Sequence, residues 1–293
     1  SSPDATTPPA PDTAPADTGP TSKPSPLKAY SGGACPTFTS GVNTFTSGGQ
    51  QRKMTLYLPN ETKGASVAFL YHGFGDSMSN FAGALQAQKM SAELQMIVVV
   101  PEPVIPVPLM GINSWGFHSF ADPAADLALF DDTLACLESN FDINEMVVYA
   151  MGFSAGALWT SLLIIERSDY LTAAVVWSGG TEASSSGVVT IPYKTPTHKL
   201  PVLAGHGGAS DSWGGGPILV KFNVGMEDLA AKLTADGHPV VVCDHGMGHT
   251  IPMGGVEWSW HFLRTHYWSE GESQWIGHVG DPVPSYCVCP AAP

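Results

Sequence analysis

Basic residues are scarce. Lys and Arg together number 12, against 26 Asp and Glu in 293 residues, for a formal net charge of −14. Such a surface repels a phosphate backbone, which excludes nucleic acid as a partner and leaves the acidity as a source of solubility. Charged residues of either sign make up only 13% of the chain, which argues against a coiled coil or a charge-laced helical protein. Long apolar runs are also missing. None approaches the roughly 18 residues of a membrane span, and the longest, such as Met96–Val100, have the length of a strand. The five cysteines (Cys35, Cys136, Cys243, Cys287 and Cys289) include no C-x-x-C pair and no zinc-type cluster. Cys287 and Cys289 stand in a Pro-rich tail, where disulfides formed in an oxidising compartment account for them better than buried thiols. The odd count leaves one thiol free or paired outside the chain, and the spacing leaves the connectivity open. What the sequence does have is apolar residues at 43%, with 32 Gly and 25 Pro: enough core for one large, loop-rich domain.

Residues 1–28 are almost all Ser, Thr, Pro, Ala, Asp and Gly. They cannot bury enough apolar area to offset the entropy lost on ordering, so a disordered tether is expected. Such a tether is expected behind an export or lipid-anchor signal and, with the cysteines, points to a secreted or cell-surface protein. Residues 29–268 carry the periodic patterns of one domain, and residues 269–293 form a Cys-containing tail. Strand-like segments at Met54–Leu58, Val67–Tyr71, Met96–Val100, Met146–Ala150, Ala173–Trp177, Pro201–Ala204 and Pro239–Cys243 alternate with helical ones. The helices are expected at Asn80–Leu94, Ala124–Phe141, Ala155–Glu166, Ile218–Thr234 and Val256–Tyr267. Within Ala124–Phe141, Leu127, Phe130, Leu134, Leu137 and Phe141 recur at three- and four-residue spacing, the stripe of an amphipathic helix. Alternating strands and helices predict an α/β fold with a mostly parallel sheet covered on both faces.

One junction carries chemistry. Val147 to Ala150 runs into Gly152-Phe153-Ser154-Ala155-Gly156 and then into a helix. G-x-S-x-G in that context is a nucleophile elbow, with small residues two before and two after the serine because the turn is tight. Ser154 is the expected nucleophile, and the N–H of Ala155 is free to bind an oxyanion. Upstream, the strand ending at Tyr71 leads into His72-Gly73-Phe74-Gly75, where a second oxyanion donor belongs; it is assigned to the Phe74 N–H, with His72 bracing the loop. The acid and base should follow in chain order. Asp211 is the carboxylate in the loop after Pro201–Ala204. Two histidines, His245 and His249, follow the last strand. His249 lies in the loop proper and His245 at the strand end, so His249 is the expected base.

The set Y-H-G-F-G-D, G-F-S-A-G, G-H-G-G-x-S-D and G-M-G-H-T-I-P, spanning roughly residues 50–265, resembles the secreted polyhydroxybutyrate-depolymerase and feruloyl-esterase branch of the α/β hydrolases. The resemblance implies an α/β-hydrolase catalytic domain over residues 29–268 and an extracellular serine esterase acting on polyesters or on phenolic esters of plant polysaccharides. Its motifs carry over to Ser154, Asp211 and His249, and it requires no metal or organic cofactor. Asn113 to Phe117 matches the branch's substrate-side loop only loosely.

The stretch Thr181–Lys199 is short and rich in Ser and Pro, which leaves no room for a large cap domain and suits bulky or polymer-linked esters. Trp115, Phe117, Phe153, Trp213 and Met247 fall near the catalytic loops and are the expected apolar substrate contacts. The partner is then an ester substrate, with no nucleic acid and no transmembrane segment, and the chain is expected to be a monomer. Two other readings stay open. A serine peptidase on the same fold would share the triad but usually carries a gating domain; a non-catalytic surface binding protein would not need the full Ser, Asp and His set.

Overall fold

A computed structural model describes residues 23–107, 111–117, 121–184, 189–269, 272–273 and 283–289. Residues 1–22 of the expected tether, and 270–271, 274–282 and 290–293 of the expected tail, lie outside the described residues.

The chain opens with a hairpin of β1 (Gly41–Ser47) and β2 (Gln50–Tyr57), followed by β3 (Ser66–Tyr71), the short helices α1 (Met78–Ala84) and α2 (Ala87–Leu94), and β4 (Met96–Pro101). Two-residue strands β5 (Ile105–Pro106) and β6 (Asn113–Ser114) pair with each other ahead of α3 (Ala124–Phe141). Next come β7 (Val148–Phe153), α4 (Ala155–Arg167), β8 (Ala173–Trp177) and β9 (Val202–His206). A second minimal ladder, β10 (Ser212–Trp213) with β11 (Val220–Lys221), precedes α5 (Phe222–Ala235), β12 (Val240–Asp244), α6 (Gly255–Arg264) and β13 (Cys287–Val288).

The main sheet runs β1-β2-β4-β3-β7-β8-β9-β12-β13. From β4 to β12 every neighbour is parallel; only the edges, β1 with β2, β2 with β4 and β12 with β13, are antiparallel. Parallel strands buried on both faces require unbroken apolar runs, and β4 and β8 are buried at every position. The period of two then divides each strand between two cores. Ala174 and Val176 of β8 join Phe130 and Leu134 of α3, Leu158 and Leu162 of α4 and Leu229 of α5 on one face. Val175 and Trp177 join Phe81 of α1, Met90 of α2 and Phe262 of α6 on the other.

Several elements depart from expectation. The single helix expected over Asn80–Leu94 is two, because Gln86 takes φ 56° and turns the chain; the carbonyl of Leu85 at this break accepts the Trp260 indole N–H at 2.8 Å. The helix expected from Ile218 begins at Phe222, since Val220 and Lys221 pair with Trp213 and Ser212 instead. β1 has no expected counterpart. Its inward residues are Asn43, Phe45 and Ser47, while Val42 points to solvent at 66% exposure, so two polar residues face in, an apolar one faces out, and only Phe45 keeps the usual pattern. β13 comes from the tail. It is bonded to β12 through the Cys243–Cys287 disulfide, while Cys35–Cys136 ties the segment before β1 to α3. Neither bridge includes Cys289. No helix among the described residues is long and apolar enough to cross a membrane.

Candidate active site

β7 ends at Phe153, and α4 begins at Ala155, so Ser154 alone makes the turn. Its φ of 57° and ψ of −122° are strained for a residue with a Cβ, and such strain costs on the order of 1–3 kcal/mol. The surroundings enforce it. The Ser154 N–H donates to the Trp177 carbonyl at 3.0 Å, and its carbonyl accepts from Ala157 and Leu158, both at 2.9 Å. A Cβ on Gly152 would lie 2.2 Å from the Gly156 carbonyl oxygen, and one on Gly156 only 2.0 Å from that of Tyr71. The two glycines are therefore dictated by close approach of β3, β7 and α4.

Asp211 follows β9 by one turn of 3-10 helix and is completely buried. Its Oδ1 accepts from His249 Nδ1 at 2.7 Å; its Oδ2 accepts from the Ser178 hydroxyl at 2.8 Å and the Gly207 N–H at 2.9 Å. Burial on its own would push the carboxyl up, yet the hydrogen bonds from His249, Gly207 and Ser178 outweigh it and hold its pKa below the ordinary aspartate value. Asp211 is thus an anion at neutral pH. His249 lies in the loop between β12 and α6, and its Nε2 accepts from Ser154 Oγ at 2.9 Å. With Nδ1–H donated to Asp211, Nε2 is left as the basic nitrogen. The imidazole stacks on Phe222, centroids 4.4 Å apart, and on Phe153, 4.8 Å apart. The histidine loop is held against the acid loop by Gly248 N–H donating to the Gly207 carbonyl at 2.9 Å, a contact so close that a Cβ on Gly207 would overlap it. His245 is engaged elsewhere: its Nδ1 accepts from Met247 N–H at 3.2 Å, its own N–H donates to His206, and burial lowers its pKa.

Above Ser154 lies the turn after β3. His72 Nδ1 donates to the Gly73 carbonyl at 2.9 Å, and the His72 carbonyl accepts from Trp115 Nε1 at 2.9 Å. A Cβ on Gly73 would come within 3.3 Å of the Ser154 Cβ, so the backbone passes close to the hydroxyl. The N–H groups of Phe74 and Ala155 have no hydrogen-bond partner among the described residues, and both residues border the same cavity as Ser154. That cavity holds about 220 Å³ and is walled by apolar side chains, among them Phe74, Phe117, Leu158, Val189, Trp213 and Phe222.

The expected substrate contacts are sorted by the fold. Trp213, 40% exposed, lines the cavity and meets Phe74 edge-on at 5.4 Å; Phe117 lines it from within. Trp115 does not. It is 1% exposed, packed on Trp159 and Tyr71 beneath the β3 turn, because its indole N–H is needed by the His72 carbonyl. Phe153 is turned against His249 rather than into the cavity. Met247 is 55% exposed on the histidine loop, outside the lining. Sequence reasoning passed over Phe222, hidden as the first residue of a helix expected to begin earlier, and Ser178. The only cue for Ser178 was its place at the carboxyl end of a central strand, where such sheets gather their sites.

Behind the cavity, Arg52 and Asp126 form a fully buried ion pair, and Asp126 Oδ2 also accepts from Gly116 N–H at 2.8 Å. The pair thereby fixes the loop that carries Phe117.

No protein-family model and no curated protein matches the chain in sequence. Solved structures do. Native sOPH is 17% identical with a TM-score of 0.69 over 87% of this chain and 96% of its own. The Bacillus cereus carboxylesterase is 17% identical with a TM-score of 0.52, covering 72% of this chain and 93% of its own. Esterase PE8 is 22% identical, also at 0.52, covering 71% and 96%. The chain has the α/β-hydrolase fold. In that fold, ligands and reacting groups collect outside the carboxyl ends of the parallel strands, where Ser154, Ser178, Asp211 and His249 all stand.

Proposed function

We propose that this protein is a serine carboxylic ester hydrolase in which Ser154, His249 and Asp211 form the catalytic triad. The observation that carries the reading is the unbroken hydrogen-bond chain from Ser154 Oγ to His249 Nε2, 2.9 Å, and from His249 Nδ1 to Asp211, 2.7 Å. His249 takes the Ser154 proton as Oγ attacks the ester carbonyl, and the Phe74 and Ala155 N–H groups hold the developing oxyanion. Asp211 keeps the imidazole in the productive tautomer and stabilises its charged form. Collapse of the tetrahedral intermediate expels the alcohol, which leaves with the proton from His249. Water, deprotonated by His249, then frees the acid from the acyl-enzyme. The residues present complete this cycle without a metal or organic cofactor.

The substrate class follows from the cavity and its surroundings. An apolar space of about 220 Å³ beside Ser154 suits a short aliphatic or single-ring acyl group. The described residues between β8 and β9 contain no helix that could cap the site, which favours esters borne on a polymer, whether polyester or feruloyl or acetyl polysaccharide. Two disulfides favour an extracellular location.

Ser154→Ala should lower kcat/KM for p-nitrophenyl butyrate by at least about a thousandfold and abolish fluorophosphonate labelling. Labelling that persists in Ser154→Ala, or a parent that hydrolyses peptides and no ester, would overturn the reading. Parallel assays on polyhydroxybutyrate, methyl ferulate, acetylated xylan and triglyceride would then rank the substrates.

A further inference from the structure

Asp211 turns one oxygen toward His249 and the other away from it. The distal oxygen, Oδ2, accepts the Gly207 N–H at 2.9 Å and the Ser178 hydroxyl at 2.8 Å. Ser178 stands immediately after β8, fully buried, with its own N–H donated to the Gly205 carbonyl at 2.8 Å. Its φ is 58°, the left-handed region. Only five non-glycine residues among those described have positive φ, and Ser154 is another of them. Glycine would take this conformation without strain, and the next two residues, Gly179 and Gly180, are glycines already. A serine is held in an unfavourable backbone geometry, and its hydroxyl goes to Asp211. Strain of that kind persists where the surrounding structure over-determines it, characteristically at functional sites.

We propose that Ser178 is a positioning residue of the hydrolytic site, its hydroxyl locking the Asp211 carboxylate so that Oδ1 meets the His249 Nδ1–H in line. Its effect on rate rests on the ester-hydrolase reading, but the hydrogen-bond chain it controls can be followed without substrate. Two consequences follow from removing the hydroxyl. The carboxylate gains freedom to rotate, which misaligns the imidazole during proton transfer but leaves substrate binding alone. The Asp211–His249 hydrogen bond is also held less well in line, so its bridging Nδ1–H proton exchanges faster and resonates less far downfield.

The test uses Ser178→Gly and Ser178→Ala in the full chain, each checked for a cooperative thermal transition by circular dichroism. Both delete the donor, but only glycine suits the backbone, so the pair separates hydroxyl from strain. For p-nitrophenyl butyrate, both variants should lose about tenfold in kcat with KM within about twofold of the parent. The His249 Nδ1–H resonance, recorded by NMR without substrate, should move upfield or broaden in both variants as its bond to Asp211 loosens. Parental kinetics in Ser178→Gly alongside an impaired Ser178→Ala would make the backbone conformation the cause and overturn the proposal; so would an unmoved Nδ1–H resonance in whichever variant folds. If the parent cleaves no ester, the functional reading falls by itself, and the Nδ1–H resonance alone then decides the role of Ser178: a displaced signal upholds it and an unchanged one ends it.

Discussion

The indole N–H of Trp115, 2.9 Å from the His72 carbonyl, holds the turn after β3 that carries Phe74. Trp213, by contrast, forms the outer wall of the cavity. The two residues should respond differently to substitution. Trp115→Phe leaves a buried carbonyl without its donor and a gap beside Trp159. It should destabilise the fold by about 1–3 kcal/mol and lower kcat without changing the preference among acyl chains. Trp213→Ala should cost no more than about 1.5 kcal/mol of stability, yet shift relative kcat/KM across acyl-chain lengths by about tenfold. Thermal melts and a p-nitrophenyl ester series check both. The same contrast explains what could be read from residues alone. The elbow is legible because its sterics are local: two glycines flank a serine between a strand and a helix. Which apolar side chain enters the cavity is decided by the tertiary neighbours of each, and the spacing of Trp115, Phe153, Trp213 and Met247 carries no trace of that.

At the scale of elements, legibility follows burial. β4 and β8 are apolar at every position because both faces are covered, and α3 carries apolar residues at helical spacing, though its buried face also takes in Asp126, Asp132 and Thr133; these elements appear in the sequence almost to the residue. β1 was invisible because it buries Asn43 and Ser47 and exposes Val42. The break at Gln86 and the late start of α5 were invisible because a left-handed residue and a two-residue ladder leave no periodic signature. The element that most needs support is the loop after β6, which brings Phe117 to the cavity. Its anchor is the Arg52–Asp126 pair, contributed by β2 and α3. Removing one partner strands the other's charge in the core. Arg52→Met should therefore destabilise the protein by about 3–5 kcal/mol in urea unfolding. Asp126→Asn, which keeps an acceptor for Gly116, should be milder than Asp126→Ala.

For the whole molecule, buried histidines contribute a large part of the response to acid. His238 and His266 are each buried, and desolvation lowers each pKa from 6.5 to about 4. Both are neutral in the folded state until the pH falls to that value, whereas the unfolded chain binds their protons already near 6.5. Between these limits the unfolded state holds more protons, so stability is full above about pH 6.5 and falls as the pH drops toward 4, by up to about 3 kcal/mol for each histidine. Denaturation midpoints measured along that range should decline steadily, and the double variant His238→Gln, His266→Gln should flatten the decline. The disulfide between Cys243 and Cys287 has a consequence of another kind. It clamps a two-residue strand along β12, the last parallel strand of the sheet. With the clamp reduced, that short strand keeps only its two-residue ladder, the Asp244 N–H bond to the Tyr286 carbonyl and the packing of Val283 and Tyr286, and where it lifts away the ladder groups of β12 become a template on which another chain can stack. Edge protection is then tied to redox state: reducing Cys243–Cys287 should open β12 to edge-to-edge association, which a rise in light scattering after dithiothreitol treatment would report.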